Sequence, residues 1–194
     1  MNTYEKIGRR ILGLMVLFTM TLNVTQAQEF NLVKGESSLT VLGTSSLHDW
    51  HIVAENQSGK ITFKNLEAGQ IEKLAIEIVS ESLKSGKGAM DKNTYKSLNT
   101  DKYKTITYQL VEVKEVTNKG GGKFLVSTQG DLTITGVKKR IPLDFSITIS
   151  GNKITLVGQK QIKMTDFKID PPKALFGTIT TGDDITIKFS NIFK

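Results

Sequence analysis

The side chains of this chain with the most chemistry crowd into one short run, Ser45-Ser46-Leu47-His48-Asp49-Trp50-His51, which holds both of its histidines. Two imidazoles beside a carboxylate are metal-ligand chemistry, and a serine, a histidine and an aspartate are the components of nucleophilic catalysis. The spacing weighs against both. In an extended strand the side chains at 49 and 51 share one face and those at 48 and 50 the other. His48 and His51 would then meet at one ion only if the segment turned, and a third ligand would have to come from elsewhere. A catalytic triad gathers its members from separate elements, whereas these are neighbours in sequence. The competing role is structural: a turn or the start of a strand, in which Trp50 is buried and His48 or Asp49 satisfies backbone groups. A metal or catalytic site at His48-Asp49-His51 stays open as the alternative.

Little else in the chain has the pattern of a reaction centre. Gly120-Gly121-Gly122 is followed by no helical pattern, so it is a flexible hairpin tip rather than a phosphate cradle. Asp183-Asp184 has the chemistry of a calcium-ligand pair, yet a turn leading into a strand accounts for it more simply. There is no cysteine, hence no zinc-spaced thiol set, and no paired-carboxylate motif. Residue chemistry alone therefore describes a binding protein and not an enzyme, with no catalytic residue, metal ligand or cofactor expected.

The elements that would position a binding site are strands. In Ile141-Pro142-Leu143-Asp144-Phe145-Ser146-Ile147-Thr148-Ile149 the odd positions are apolar and nearly all the even ones polar, the pattern of a strand with one buried face. If Gly151-Asn152 is a two-residue hairpin loop, Ser150 faces Lys153, Ile149 faces Ile154, Thr148 faces Thr155 and Ile147 faces Leu156, so that like meets like at every rung. Further strand-like segments fall at 32–34, 38–42, 50–56, 60–66, 71–81, 104–116, 123–135, 140–150, 153–169 and 184–192, separated by glycine-rich turns. That spacing describes a sandwich or barrel of a single domain, with short connections that favour a meander.

Two interruptions of phase stand out. The apolar positions are even at Ile162 and Met164 and odd at Phe167 and Ile169, which predicts a β-bulge near Thr165-Asp166. A similar slip falls between Phe189 and Ile192, unless one half of each strand packs against something outside the barrel. One segment reads as a helix, from Asp91 to Leu98: Asp91 caps it, Met90 packs on Tyr95 as a staple and Asn99 ends it. In a barrel it would lie over an opening.

Ahead of these elements, Lys6, Arg9 and Arg10 precede an apolar run over 11–22, and Thr25-Gln26-Ala27 has the small-residue spacing a signal peptidase reads. Twelve or so apolar residues fall short of the roughly twenty a membrane span needs. Residues 1–27 are therefore expected to be a cleaved signal peptide and residues 28–194 a periplasmic or secreted domain without stable membrane insertion. Removing the leader lowers the net charge from +7 to +5, because three basic residues and one acidic residue leave with it. The remaining lysines are scattered among acids and threonines, with none of the basic stripe and interleaved aromatics that nucleic-acid binding wants.

A resemblance sharpens the expectation. The run from Met90 through Asp91-Lys92-Asn93-Thr94-Tyr95-Lys96-Ser97-Leu98 to Tyr108 resembles the stretch of YceI-like proteins in which a short charged helix leads into a strand. Gly130-Asp131-Leu132-Thr133-Ile134-Thr135-Gly136-Val137-Lys138-Lys139 is similar to their Gly-x-Leu-Thr-Leu-x-Gly-Val-Thr-Lys hairpin. Thr165-Asp166-Phe167-Lys168-Ile169 and Gly182-Asp183-Asp184-Ile185-Thr186-Ile187 resemble their closing strands. Lys104 and Lys139-Arg140 depart from the prolines usual there. The resemblance implies an extended, lipocalin-like antiparallel β-barrel of about eight strands, exported, with no established enzymatic activity, whose cavity holds a polyisoprenoid or another long amphiphile for carriage or storage.

A barrel of this size is either filled by its own side chains or just hollow enough for one slender ligand. The residues expected to face a ligand are Leu132, Ile134, Leu143, Ile147, Ile154, Leu156, Ile162 and Met164, with Phe63, Phe124, Phe145 and Phe167 as rims and Met90, Tyr95 and Leu98 from the helix. Lys92 and Asn93, with Tyr95, would meet the head group. The expected partner is an isoprenoid or other long-chain lipid and no nucleic acid, with a homodimer as the assembly allowed for. A packed barrel serving as a surface or structural module is the alternative, because inward apolar residues line both kinds.

Overall fold

Three tight turns set the register from which the rest of the fold follows. The computed structural model describes residues 28–174 and 177–194, so the leader expected at 1–27 lies outside the described residues. Strands β7 (Thr105–Gly120), β8 (Lys123–Ile134), β9 (Val137–Ser150) and β10 (Lys153–Lys163) form an antiparallel meander. At the β9–β10 turn Ser150 pairs with Lys153, Ile149 with Ile154, Thr148 with Thr155 and Ile147 with Leu156, as the alternation predicts. Gly151 takes φ +57° there, the conformation a two-residue loop with glycine in its first position uses. Between β8 and β9, Thr135 and Gly136 both have positive φ, 49° and 73°, matching the twist of the strands they join. The triple glycine is the β7–β8 tip.

The remaining strands are β1 (Gln28–Asn31), β2 (Ser38–Ser45), β3 (Trp50–Ala54), β4 (Gln57–Asn65), β5 (Gln70–Val79), β6 (Leu83–Lys84), β11 (Lys173–Ala174) and β12 (Ile179–Phe193). Eleven of the twelve strands follow one antiparallel path, β1-β4-β5-β7-β8-β9-β10-β12-β2-β3-β6, and β11 adds to β12. The path curls back on itself because two of its strands are bent rather than broken. β3 continues into β4 and β5 into β6, and Glu55 N donates to Ser82 O (2.9 Å) and Val79 N to Asn56 O (3.0 Å) across the two bends. Taken as single bent strands, these pairs reduce the wall to eight, with β1 laid along the edge of β4. The fold is thus the expected single antiparallel barrel with one short helix, and the higher strand count comes from the bends.

Several boundaries differ from expectation. The first strand lies at Gln28–Asn31 rather than 32–34, and Leu32 makes a lone bridge to Phe193. No bulge occurs at Thr165-Asp166: β10 ends at Lys163, and a 3-10 turn, Thr165–Phe167, closed by Lys168 at φ +58°, returns Phe167 and Ile169 to the interior. The slip near Phe189 is not a slip either. β12 stays in uninterrupted register with β10 from Asp184 to Phe193. Ile192 faces outward and is buried, with the 33–37 segment fastened at its backbone by Val33 N to Ile192 O (2.7 Å) and Ile192 N to Ser37 Oγ (2.9 Å).

Helix α1 (Gly88–Leu98) begins three residues earlier than predicted, and Lys87 stands at its N-cap. Asp91 sits in the first turn and faces backward, where its carboxylate accepts from Ser85 N (2.7 Å) and Ser85 Oγ (2.6 Å). Met90 is inside the helix, packed on the core, so it is not a staple. Asn99 ends the helix as expected, at φ +48°.

Candidate functional site

The interior of the barrel is solid at one end and hollow at the other. At the solid end Ile61, Ile147, Ile154 and Phe193 are fully buried, and Phe63, Phe124 and Val126 are nearly so; Phe30 of β1 closes this end with its ring edge-on to Phe63, 6.1 Å between centroids. At the other end is a cavity of about 440 Å³ lined in part by α1, the 45–48 turn, Ile169, Pro172, Lys173, Ile179 and Thr181. That volume lies within the range of pockets that hold small apolar ligands, roughly 300–1,000 Å³.

The sequence-predicted residues divide between the two ends. Leu132, Ile134, Leu143, Leu156 and Met164 line the cavity, as do Met90, Asn93 and Leu98 of α1. Phe63, Phe124, Ile147 and Ile154 are buried in the solid end and line no cavity, and Phe145, Ile162 and Phe167 are buried without reaching it. Inward parity is common to both ends and carries no information on depth. Lys92 is exposed and off the cavity wall. Tyr95 is occupied in fastening the helix: its hydroxyl donates to Glu81 O (2.9 Å) and accepts from the Lys84 ammonium.

Three aromatic rings that sequence reasoning did not place here, Trp50, Tyr108 and Phe189, lie flat on the wall because glycines face them. A Cβ on Gly43, Gly130 or Gly158 would come within 2.1, 2.3 or 2.6 Å of the respective ring. A glycine opposite an inward aromatic, as at Gly43 and Gly158, or diagonal to one, as at Gly130, is the signal that would have found them. The Tyr108 hydroxyl stands 3.3 Å from Thr128 Oγ1, which itself donates to Leu143 O at 2.7 Å, so Tyr108 is the donor of the pair. Burial pushes the Tyr108 hydroxyl pKa up, and it remains a neutral hydrogen-bonding group.

Two polar residues share the inward face of this wall. Asn191 on β12 is 3% exposed, lines the cavity and has a side-chain oxygen with no partner. Lys160 on β10 also lines the cavity. The residue beside Asn191 in the ladder is Leu156, and beside Lys160 it is Ile187.

The histidine segment is a turn beside the cavity. Ser45 Oγ donates to His48 O (2.7 Å) and accepts from His48 N (3.2 Å), and Trp50 Nε1 donates to Thr44 O (2.9 Å). The His48 ring borders the cavity and its Nδ1 is 2.8 Å from Asp49 O. His51, on β3, is exposed and off the cavity wall. Among the described residues no three histidine, aspartate or glutamate side chains form a group able to hold a metal ion.

A closed β-wall with a half-hollow apolar interior is the architecture of a lipocalin-like barrel. The family model for the YceI-like domain matches residues 19–193, and the chain belongs to that family. Among solved structures it is similar to Burkholderia cenocepacia BcnA, with a TM-score of 0.68 and 16% identity over 83% of this chain and 98% of that one. It is similar to a polyisoprenoid binding domain from Saccharophagus degradans implicated in plant cell wall breakdown, with a TM-score of 0.67 and 14% identity over 85% and 97% of the two chains. Campylobacter jejuni YceI aligns with a TM-score of 0.57 and 23% identity over 72% and 82%. No curated protein matches the chain.

Proposed function

We propose that this chain is an exported, periplasmic or secreted, non-catalytic protein that carries or stores a long apolar amphiphile, a polyisoprenoid or another lipid, in the hollow end of its barrel. The observation that carries the reading is the cavity itself, about 440 Å³ of space walled largely by aliphatic and aromatic side chains, some of them from α1. Each methylene buried there would contribute about 0.8 kcal/mol before ordering costs, so chain length alone can supply affinity. The polyisoprenoid binding domain of similar fold supports lipid as the ligand class. Export is supported by the basic and apolar start of the sequence, and among the described residues no helix is long and apolar enough to cross a membrane.

Solvent extraction of protein purified from its native source, followed by mass spectrometry, tests the reading. A lipid near one per protein is expected, lost in Leu143→Trp, whose indole would fill the cavity. Empty extracts together with no uptake of a fluorescent isoprenoid would overturn it and leave a structural module. N-terminal sequencing of the exported protein should begin near Gln28; retention of residues 1–27 would sink the export step.

A further inference from the structure

Lys160 is out of place by the chemistry of its surroundings. It falls on the inward face of β10, in phase with Leu156 and Ile162, half-buried against a largely apolar wall. Among the described residues none makes an ion pair or a side-chain hydrogen bond with its ammonium. Three residues further on, the outward Lys163 is paired with Asp184 at 3.2 Å, and on β9 the outward Arg140 is paired with Asp131, while Lys139, on the inward phase of β9 but off the cavity wall, is paired with Asp166. Of the inward lysines of β9 and β10, Lys139 has an acid, and Lys160, the one on the cavity wall, has none among the described residues.

The charge of the whole lining has one sign. Lys87, Lys160 and Lys173 line the cavity, and among the described residues no aspartate or glutamate does. A cation held against apolar surface without a counter-ion loses hydration with nothing in return, and an anion entering the cavity would restore what it lost. A cleft of low-dielectric walls and a single sign of charge also concentrates ligands of the opposite sign at its mouth. Below Lys160 the wall runs on for four residues of β10 to Leu156, roughly 13 Å at strand rise, with Phe189 facing the same space. That is room for a hydrocarbon tail, and Lys87 and Lys173 line the same cavity.

We infer that the cavity takes an acidic amphiphile, its carboxylate or phosphate head paired with the Lys160 ammonium and its tail on the apolar wall between Lys160 and Asn191. This rests on the lipid-binding reading of the cavity and narrows it to a ligand class. It places the head on the barrel wall.

Displacement of the neutral fluorescent probe N-phenyl-1-naphthylamine tests it with dodecanoate, dodecyl phosphate, dodecanol and inorganic phosphate. The two acids should bind at least tenfold more tightly than the alcohol of equal length, and added salt should narrow the gap. Lys160→Met should bring the acid-to-alcohol ratio close to one without lowering Tm, and Lys160→Arg should keep it. Equal binding of acid and alcohol by the unmodified protein, a comparison that needs no variant, would overturn the inference and leave lipid binding standing. So would a preference that survives in Lys160→Met. Displacement by inorganic phosphate as effective as by dodecyl phosphate would mean a free-anion site and overturn the amphiphile. If no long-chain compound displaces the probe, the lipid reading itself fails, and this inference fails with it.

Discussion

Single polar residues on inward positions are where this molecule departs from the plain rules of a β-barrel. Gln57 is the clearest test of what such a residue costs. It is 4% exposed, lines no cavity, and neither of its amide atoms has a hydrogen-bond partner. Gln57→Leu removes an unpaired buried amide and keeps most of the volume, so it should stabilise the protein by about 1 kcal/mol and raise Tm by about 2–4 °C. A lowered Tm in thermal melts would show that the amide has a partner, such as a bound water. Asn191 and Lys160 differ from Gln57 in facing the cavity, where a ligand can reach them. Neither was legible in the sequence, and for one reason. Alternation was read by its apolar members, so a lysine on the even stripe of β10 passed as a gap and an asparagine on β12 as a loss of phase. The structure keeps the phase in both strands. A polar residue that interrupts an apolar stripe without disturbing register and also borders a cavity, as Gln57 does not, is a candidate ligand contact.

At the scale of elements, the meander from β7 to β10 was legible because local rules suffice: turn glycines and a period of two fix the register without knowledge of the rest. The bends that join β3 to β4 and β5 to β6 were not, since they depend on hydrogen bonds between segments distant in sequence. Helix α1 lies between these cases. Its pattern showed, but the role of Asp91 did not, because its partner precedes the helix. The Ser85 hydroxyl and then the Ser85 N–H, with the Lys84 charge adding, hold the Asp91 carboxyl below the usual carboxylate range. A folded-state pKa below the unfolded one adds stability that is fully present above the unfolded value, about 3.9, and is lost as pH falls through the folded value. Asp91→Asn should therefore lower Tm at pH 7, and the difference from the unmodified protein should be smaller at pH 2. An equal difference at both pH values would mean that the carboxylate charge contributes nothing to docking the helix.

Across the whole molecule, the solid end holds the fold and the hollow end is free to bind, so mutations of similar size should separate the two roles. Ile147 is fully buried among fully buried neighbours, and its truncation leaves a new void that rigid strands cannot close. Ile147→Ala should cost about 2–5 kcal/mol. Ile185 is half-buried and already borders empty space, so it has fewer contacts to lose; Ile185→Ala should cost about 1 kcal/mol, nearer the transfer term alone. The order should invert for ligand. A ligand that binds only the folded state stabilises it by an amount set by its concentration over Kd, about 2.7 kcal/mol at one hundred times Kd. At fixed ligand the added stability should be unchanged in Ile147→Ala and reduced in Ile185→Ala, because only the second residue touches the cavity. Denaturant titrations with and without dodecanoate read both quantities. Equal costs for the two substitutions, or a loss of ligand stabilisation in Ile147→Ala, would mean that packing and binding are spread through one continuous interior instead of being divided between its ends.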